Sequence, residues 1–302
     1  MRRFTRILCP IDVADPARHA IEHAIVIARW HGASVTAQHV CMPVSSPVAA
    51  LAVTACVQPP VFDGAESARL RYELAAAVPW PTSAGVDIDL ALDVGTPAPA
   101  ILERAASLHA DLIVIGAHRS DCSEYLQLGS VAAKVLRKAA CAVLTVPPRG
   151  RQTSKLPFAR LLCPVDFSAP SLAAIELALS LARDARAELT VLYVVEMPQD
   201  DAASEASPSG SLSDRTARLR HERHALADLS ALVPDPAHEL SRLCVRIGHG
   251  TPYREILETA AAGAIDLIVM GAQGRNALET LFGSTTNQIV RRATCPVLTL
   301  RH

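Results

Sequence analysis

The sequence has few aromatic residues. They make up 4% of the 302 residues, whereas hydrophobic residues in total make up 50%, most of them Ala, Val, Leu and Ile. That composition is typical of close-packed parallel sheets covered by Ala-rich helices. It favours an α/β fold over a β-sandwich, and the length is sufficient for two domains of about 150 residues each.

The chain also lacks an excess of charge of either sign. Lys plus Arg number 29 and Asp plus Glu number 30, and the basic residues are scattered. Because no long-range field would attract a polyanion, we expect neither nucleic acid nor a membrane surface as a partner.

Long hydrophobic runs are missing as well. No uninterrupted apolar stretch reaches the roughly 18 residues that a membrane-spanning helix needs, and Met1-Arg2-Arg3-Phe4 leads directly into a strand-like run. Without the features of a secretion signal, we expect a cytoplasmic protein.

The eight cysteines show no Cys-x-x-Cys spacing. Several stand in apolar runs, among them Cys9, Cys163 and Cys244. Since zinc sites and disulfide frameworks follow recognisable spacings, we interpret the cysteines as reduced thiols in the core.

The dominant feature is an internal repeat, with Leu8-Cys-Pro-Ile-Asp12 recurring as Leu162-Cys-Pro-Val-Asp166. Likewise, Asp111-Leu-Ile-Val-Ile-Gly116 recurs as Asp266-Leu-Ile-Val-Met-Gly271. Self-similarity over about 154 residues predicts two copies of one unit. We place the first domain at 1–147, the second at 158–302, and a proline-flanked linker at 148–157.

Each copy alternates strand-like and helix-like segments, which predicts a five-stranded parallel sheet with helices on both faces. The expected strand order in each sheet is 3-2-1-4-5. Strands are predicted at 5–11, 34–40, 86–92, 111–115 and 142–146 in the first copy, and at 160–165, 188–195, 241–247, 266–270 and 296–300 in the second.

A glycine loop follows the fourth strand of the second copy: Met270-Gly271-Ala-Gln-Gly274-Arg275, and then Gly283-Ser284-Thr285. Glycines permit positive φ and close backbone approach, Ser284 is suited to cap a helix, and the first N–H groups of that helix favour an anion. The pattern thus predicts a phosphate site. The alternative is an ordinary strand-end turn followed by a serine N-cap.

Asp12 and Asp166 end the first strand of each copy. Because Asp15-Pro16 in one copy and Ser168 in the other can cap the following helix, we expect both carboxylates to be available to a ligand. In this strand order, Asp166 and Gly271 flank one crevice at the point where the order reverses.

These motifs, with Phe282-Gly-Ser-Thr-Thr-Asn287 and Cys295-Pro-Val-Leu298, resemble those of the universal stress protein family. The resemblance implies tandem Rossmann-like domains of the adenine nucleotide alpha hydrolase type. In the ATP-binding branch of that family, the motif Gly-x-x-Gly, nine residues, Gly-Ser/Thr holds the phosphates. The resemblance also implies that the last strands of the two copies pair antiparallel.

Carried over to this sequence, the resemblance implies ATP, with or without Mg²⁺, in the second copy. Asp166 would contact the nucleotide or its metal, and Val194 would line the adenine pocket over a floor of Pro164 and Val165. The remaining expected contacts are Met270, Gly271, Gly274, Arg275, Gly283, Ser284 and Thr285, and the weaker counterparts in the first copy are Asp12, Val40, Gly116, Gly129 and Ser130.

Neither copy matches the family motif fully. Eight residues separate Gly274 from Gly283, one fewer than the motif, and the first copy has Arg119 where the second glycine belongs. A Cβ there would hinder close backbone approach. Alternatively, the arginine adds charge for a phosphate.

From these observations we expect a tandem, ATP-binding stress-response regulator. No catalytic triad or paired catalytic carboxylate stands out, so we do not expect a dedicated enzyme, although slow ATP hydrolysis remains open. The alternatives are a nucleotide-free scaffold acting through protein contacts, and an enzyme or electron-transfer protein of related fold. A homodimer also remains open.

Overall fold

The computed structural model describes residues 4–13, 19–42, 64–79, 85–117, 128–148, 158–196, 212–232, 242–274 and 283–301. Ten strands in these segments form one sheet. They are β1 (Arg6–Pro10), β2 (Ser34–Cys41), β3 (Ile88–Val94), β4 (Leu112–Gly116), β5 (Ala142–Val146), β6 (Arg160–Val165), β7 (Glu188–Glu196), β8 (Leu243–Gly250), β9 (Leu267–Gly271) and β10 (Val297–Leu300).

Helices cover both faces of this sheet. One layer packs α1 (His19–His31), α2 (Gly64–Ala77), α5 (Ala169–Ala185) and α6 (Leu212–Leu232) against a core that runs through both copies. The other layer packs α3 (Pro97–Ser107), α4 (Ser130–Lys138), α7 (Pro252–Ala262) and α8 (Ser284–Arg292) against a second such core. The α/β class expected from composition is therefore confirmed.

The strand order is β3-β2-β1-β4-β5-β10-β9-β6-β7-β8. Each copy thus has the predicted order 3-2-1-4-5, and the strand pairs within each copy are parallel. Its first and fourth strands are neighbours, so the crevice at the reversal of strand order lies where the sequence predicted it.

The two half-sheets join through β5 and β10, which pair antiparallel as expected, with Leu144 opposite Leu298. Thr145 Oγ1 donates to the Val297 carbonyl at 3.2 Å, and Thr299 Oγ1 donates to the Val143 carbonyl at 3.2 Å. These reciprocal bonds have the symmetry of a pseudo-twofold axis. The pairing also covers two apolar strands that would otherwise be sheet edges.

The repeated aspartate before the fourth strand has the same task in each copy. Asp111 Oδ2 accepts from the Thr5 N–H at 2.7 Å, and Asp266 Oδ2 accepts from the Ala159 and Arg160 N–H groups at 3.0 Å each. Each carboxylate ties the start of the first strand to the start of the fourth. This part of the repeat therefore serves the fold.

The structure corrects two details of the sequence interpretation. β3 and β8 lie two to three residues further along the chain than predicted, because each edge strand pairs with its single neighbour up to that neighbour's last residue and so ends at Val94 or Gly250. Cys244 is exposed and not a core thiol, because it lies on the edge strand β8, whereas Cys9 and Cys163 are buried.

No helix in the described part of the chain is long and apolar enough to cross a membrane. The predicted linker at 148–157 falls almost entirely outside the described residues, as does the Asp15-Pro16 cap.

Candidate functional site

A cleft of about 920 Å³ opens at the carboxyl ends of the strands in the second copy. Its size is within the range of ligand-binding pockets, about 300–1,000 Å³. It lies between β6, β7 and β9 of the sheet and the amino-terminal ends of α5, α7 and α8. The lining residues are Pro164, Val165, Asp166, Ser171, Leu192, Tyr193, Val194, Val195, Glu196, Pro252, Ile256, Met270, Gly271, Gln273, Gly274, Gly283, Ser284, Thr285 and Thr286.

Positions 271 and 274 require glycine because neighbouring atoms lie too close to the backbone there to leave room for a Cβ. A Cβ at Gly271 would lie 2.9 Å from the Ser171 nitrogen, and one at Gly274 would lie 2.8 Å from Asp166 Oδ2. Neither glycine has a positive φ. The expectation that the loop exploits left-handed backbone is therefore wrong. The loop backbone packs closely against neighbouring groups of the protein, and its close approach to a phosphate stays a prediction.

The helix that follows the loop begins one residue earlier than predicted. Gly283 is the N-cap of α8, with φ −57° and ψ 139°, and Ser284 is the first helical residue. The Gly283 N–H donates to the Ala272 carbonyl at 3.0 Å, which holds Gly283 at the turn. The assignment of Ser284 as the cap is therefore wrong, and its side chain is exposed at the helix end.

In the described part of the chain, no side chain caps α8. The first N–H groups of a helix have no acceptor within the helix, and they carry the positive end of its dipole. Thr286 Oγ1 donates to the Gly271 carbonyl at 3.0 Å and so fixes the helix start to the end of β9. The Ser284 and Thr285 N–H groups therefore stand at the edge of the cleft, beside the glycine loop.

Asp166 has a structural contact that the sequence interpretation did not expect. Its Oδ1 accepts from the Ser168 N–H at 3.0 Å and from the Ser168 hydroxyl at 2.5 Å. Ser168 in turn caps α5 by accepting from the Ser171 N–H, as predicted. Asp166 lines the cleft as expected, although Ser168 already engages one of its oxygens. Its contact with a ligand stays a prediction.

The other end of the cleft is apolar. Pro164 and Leu192 come from β6 and β7, Met270 comes from β9, and Ile256 projects from α7. Val194 also packs against this apolar cluster. Such walls suit a flat, poorly hydrated ring, whereas the opposite end offers hydroxyl and backbone N–H groups to an anion.

The charged side chains among the described lining residues are Asp166 and Glu196. Neither is basic, and the groups that the described lining residues offer to an anion are backbone N–H groups and hydroxyls. Arg275, the basic residue predicted for this loop, lies outside the described residues, as does Arg119 in the first copy.

The first copy has the same backbone elements around the corresponding position, but different side chains. Gly116 ends β4, Gly129 is the N-cap of α4, and Ser130 is its exposed first residue. Asp12 is exposed after β1, and Val40 is half-buried on β2. The weaker set predicted from the sequence thus lies at the corresponding sheet edge.

Side chains differ at matched positions of the two copies. Gln38 occupies the register position of Leu192, since each pairs with the proline of its first strand. Val131 and Ala132 stand where the second copy has Thr285 and Thr286. The first copy therefore lacks two hydroxyls at the helix end and has an amide in place of an apolar wall.

Gln38 belongs to a polar network between β2, β3 and α3. Its Nε2 donates to Asp93 Oδ2 at 2.7 Å, and Arg104 Nε donates to the same oxygen at 3.0 Å. Burial alone would raise the pKa of Asp93, but the bonds from Arg104 and Gln38 outweigh it and hold that pKa below its usual value. In the first copy, this polar network lies at the position that corresponds to the apolar end of the cleft in the second copy.

Comparison with known proteins decides the family. The sequence model of the universal stress protein family matches residues 3–147 and again residues 157–301. The chain belongs to the universal stress protein family. It is a tandem member, with two such domains.

Curated relatives carry the same name. A universal stress protein of Thermus aquaticus is 34% identical over 144 residues, which are 47% of this chain and 98% of the relative. One from Methanocaldococcus jannaschii is 30% identical over 48% of this chain and 82% of its own length. A Mycobacterium tuberculosis universal stress protein is 28% identical over 68% of this chain and 66% of its own length.

Solved structures match the whole tandem arrangement. A universal stress protein from Archaeoglobus fulgidus superposes with a TM-score of 0.62 at 19% identity, covering 98% of each chain. A putative universal stress protein from Pseudomonas aeruginosa gives a TM-score of 0.61 at 18% identity, over 99% of this chain and 93% of the other. At this identity the likeness is one of fold.

Apart from Arg275, the second-copy residues predicted from the sequence all line one cleft of this universal stress protein. Whether they contact a ligand stays a prediction. The sequence interpretation missed several further lining residues. Leu192 and Ile256 lie inside ordinary apolar patterns, so the sequence does not mark them as lining residues. Ser171 lines the cleft only because Gly271 packs against its backbone.

Proposed function

We propose that the second copy binds ATP in this cleft and that the chain acts as a nucleotide-dependent regulator in a stress response. The observation that carries the proposal is the pairing of two features in one cleft. An apolar end lies between β6, β7 and α7, and a glycine loop beside an uncapped helix start lies at the other end. An adenine nucleotide has the same division into a flat ring and a phosphate chain.

The phosphate end fits an anion in shape. Gly271 and Gly274 lie so close to their neighbours that a Cβ could not be accommodated, and both residues line the cleft. An anion at the first turn of a helix is stabilised by about 0.3–1 kcal/mol, and by up to about 2 kcal/mol when partly buried. Thr285 and Ser284 add hydroxyl donors beside those N–H groups.

A divalent cation fits the charge balance of the cleft. The described lining residues include two carboxylates, so a triphosphate would bind more readily when Mg²⁺ offsets its charge. Among the residues that the structure describes, no group of three or more His, Cys, Asp or Glu side chains could hold a metal. We therefore expect Mg²⁺ to enter with the nucleotide.

We expect regulation and not dedicated catalysis from this site. Hydrolysis needs a positioned base for water and donors for the leaving charge. In the described part of the cleft, Asp166 is held by Ser168 and Glu196 lies at the end of β7. Slow hydrolysis would be a side reaction of binding.

Nucleotide binding would be a property of the second copy. The first copy has the Gln38, Asp93 and Arg104 network at the position of the ring-binding end, and Val131 and Ala132 at the helix start. We propose that the first copy acts through its contact with the second across β5 and β10. The scaffold alternative, in which neither copy binds nucleotide, rests on the same features.

Isothermal titration of the nucleotide-stripped protein with Mg-ATP tests the proposal. Gly283→Arg places a side chain at the helix start of the second copy, and Gly129→Arg makes the matched change in the first. We expect one ATP per chain, with binding lost in Gly283→Arg and kept in Gly129→Arg. Absence of heat and of thermal stabilisation at millimolar ATP would favour the scaffold.

A further inference from the structure

The turn that joins β6 to α5, residues 166–168, contacts the glycine loop of the second copy. Asp166 Oδ2 lies where a Cβ of Gly274 would be only 2.8 Å away. Ser168 Oγ lies 3.4 Å from the Gln273 carbonyl oxygen. The turn and the loop are therefore packed against each other, although 105 residues separate them in the chain.

The centre of this turn has an unusual backbone. Phe167 has a φ of 60°, the left-handed region that residues with a Cβ rarely adopt. Its ring contacts Tyr193, with centroids 5.3 Å apart. Val13, which occupies the matching position of the first copy, does not have a positive φ. Among the described residues of these two matching turns, the positive φ is therefore found in the second copy.

Two sets of contacts hold the strained conformation. Both the N–H and the hydroxyl of Ser168 donate to Asp166 Oδ1, and the Phe167 ring packs on Tyr193. Backbone strain of this kind persists where surrounding contacts over-determine it, commonly beside functional sites. In this turn the second carboxylate oxygen of Asp166 lies against Gly274.

The sequence of the first copy lacks the components of this arrangement. Ala14 stands where the second copy has Ser168, and Arg119 stands where it has Gly274. Alanine has no hydroxyl for the carboxylate of Asp12. The arrangement therefore accompanies the copy that keeps both loop glycines.

We propose that Asp166 is a positioning residue that sets the glycine loop for phosphate through its contacts with Ser168 and Gly274. The inference deepens the proposed function and rests on it where ligand affinity is concerned. It also explains the glycine at 274: the position accommodates no Cβ because the carboxylate lies against it. The loop would thus be in place before a nucleotide arrives.

The test uses full-length protein with Asp166→Ala, Ser168→Ala and Asp166→Asn. Asparagine keeps an oxygen that accepts from Ser168, so it conserves the positioning contact while removing the charge. Asp12→Ala is the matched control in the first copy. Hydrogen exchange is measured without nucleotide at the amides of Ala272 and Gly283, which flank the loop and are hydrogen-bonded, and Mg-ATP affinity is measured by titration.

We expect Asp166→Ala and Ser168→Ala each to speed exchange at these two amides by about threefold or more, because the loop opens locally more often. Each should weaken ATP binding by about tenfold, the loss typical of a hydrogen bond to a charged group. The double variant, Asp166→Ala with Ser168→Ala, should be no worse than Asp166→Ala alone in either property, since Asp166→Ala already removes the contact with the Ser168 hydroxyl. Asp166→Asn should recover most of both properties, and Asp12→Ala should change neither.

Wild-type exchange rates in Asp166→Ala and Ser168→Ala would overturn the inference. So would an Asp166→Asn variant that binds ATP as poorly as Asp166→Ala while exchanging like the wild type, because the carboxylate would then contact the ligand or its metal directly. If the wild type binds no ATP, the proposed function fails, and the exchange rates still decide whether the turn positions the loop.

Discussion

A methyl group at Gly274 should weaken nucleotide binding by a predictable amount. In Gly274→Ala the new Cβ would lie 2.8 Å from Asp166 Oδ2, closer than carbon and carboxylate oxygen normally approach. That oxygen cannot simply swing away, because Ser168 holds the other oxygen of the same carboxylate. Overpacking of this kind costs about 1–3 kcal/mol, which corresponds to about a 5- to 150-fold rise in the Kd for Mg-ATP if the loop moves.

Two further alanine variants show how the loss of affinity depends on the space available for the added Cβ. At Gly283 the nearest atoms to an added Cβ are 3.4 Å away, and at Gly129 in the first copy the nearest is 3.5 Å away. We therefore expect Gly283→Ala to change the Kd less than Gly274→Ala, and Gly129→Ala to leave it unchanged. Titration calorimetry measures all three, with thermal melting to show that each variant is folded. Wild-type affinity in Gly274→Ala would refute the argument from close approach.

Three further predictions concern stability and reactivity. The pKa of Asp93 lies below its usual value because the hydrogen bonds from Arg104 and Gln38 outweigh the opposing effect of burial. The ionised Asp93 side chain therefore stabilises the fold above the pKa that it has in the unfolded chain. This stabilisation is lost as the pH falls through the pKa that Asp93 has in the folded protein. Urea unfolding should thus show the deficit of Asp93→Asn shrinking from pH 5 downward, and a constant deficit would contradict this. Thr299→Val removes a buried bond across the seam between the copies and should lower the free energy of unfolding by about 0.5–1.5 kcal/mol in the same assay, whereas an unchanged value would show that the bond contributes nothing. Native alkylation followed by mass spectrometry should label the exposed Cys244 before the buried Cys9, because burial raises the pKa of the Cys9 thiol; equal rates would count against the described fold of β8.

The parallel sheet could be predicted because strand-like and helix-like segments alternate in both copies, and short right-handed crossovers leave few topologies. The order 3-2-1-4-5 does not follow from this alternation; it is the order expected of a Rossmann-like sheet. The ends of the edge strands could not be predicted. Val94 and Gly250 are strand residues because β2 and β7 extend beside them, and hydrophobic pattern does not report the length of a neighbour.

Much of the candidate site could be predicted from the carboxyl ends of β6 and β9, since parallel strands bring those ends together. The contacts within it could not. Gly283 and not Ser284 caps α8 because of a bond to Ala272 across residues 275–282. The backbone at Phe167 is likewise set by tertiary packing on Tyr193. Local sequence rules assign caps and turns without these long-range partners.

One difference between the copies was visible in the sequence and was overlooked. Aligning the second strands places Gln38 opposite Leu192, and a polar residue at an apolar position of a buried strand indicates a partner. Those partners, Asp93 and Arg104, follow on the next strand and helix. Comparing the copies position by position would have marked the first copy as different at its ring-binding end.

Photoaffinity labelling with an azido-adenine analogue of ATP tests the central claim most directly, because it reports where the base lies. The protein is irradiated with the probe and Mg²⁺, with and without excess ATP, and the labelled peptides are mapped by mass spectrometry. We predict ATP-competed label only within residues 158–301, on peptides containing Val194, Ile256 or Met270. Label on peptides of residues 4–148, or label that ATP does not compete away, would contradict the assignment of the nucleotide to the second copy.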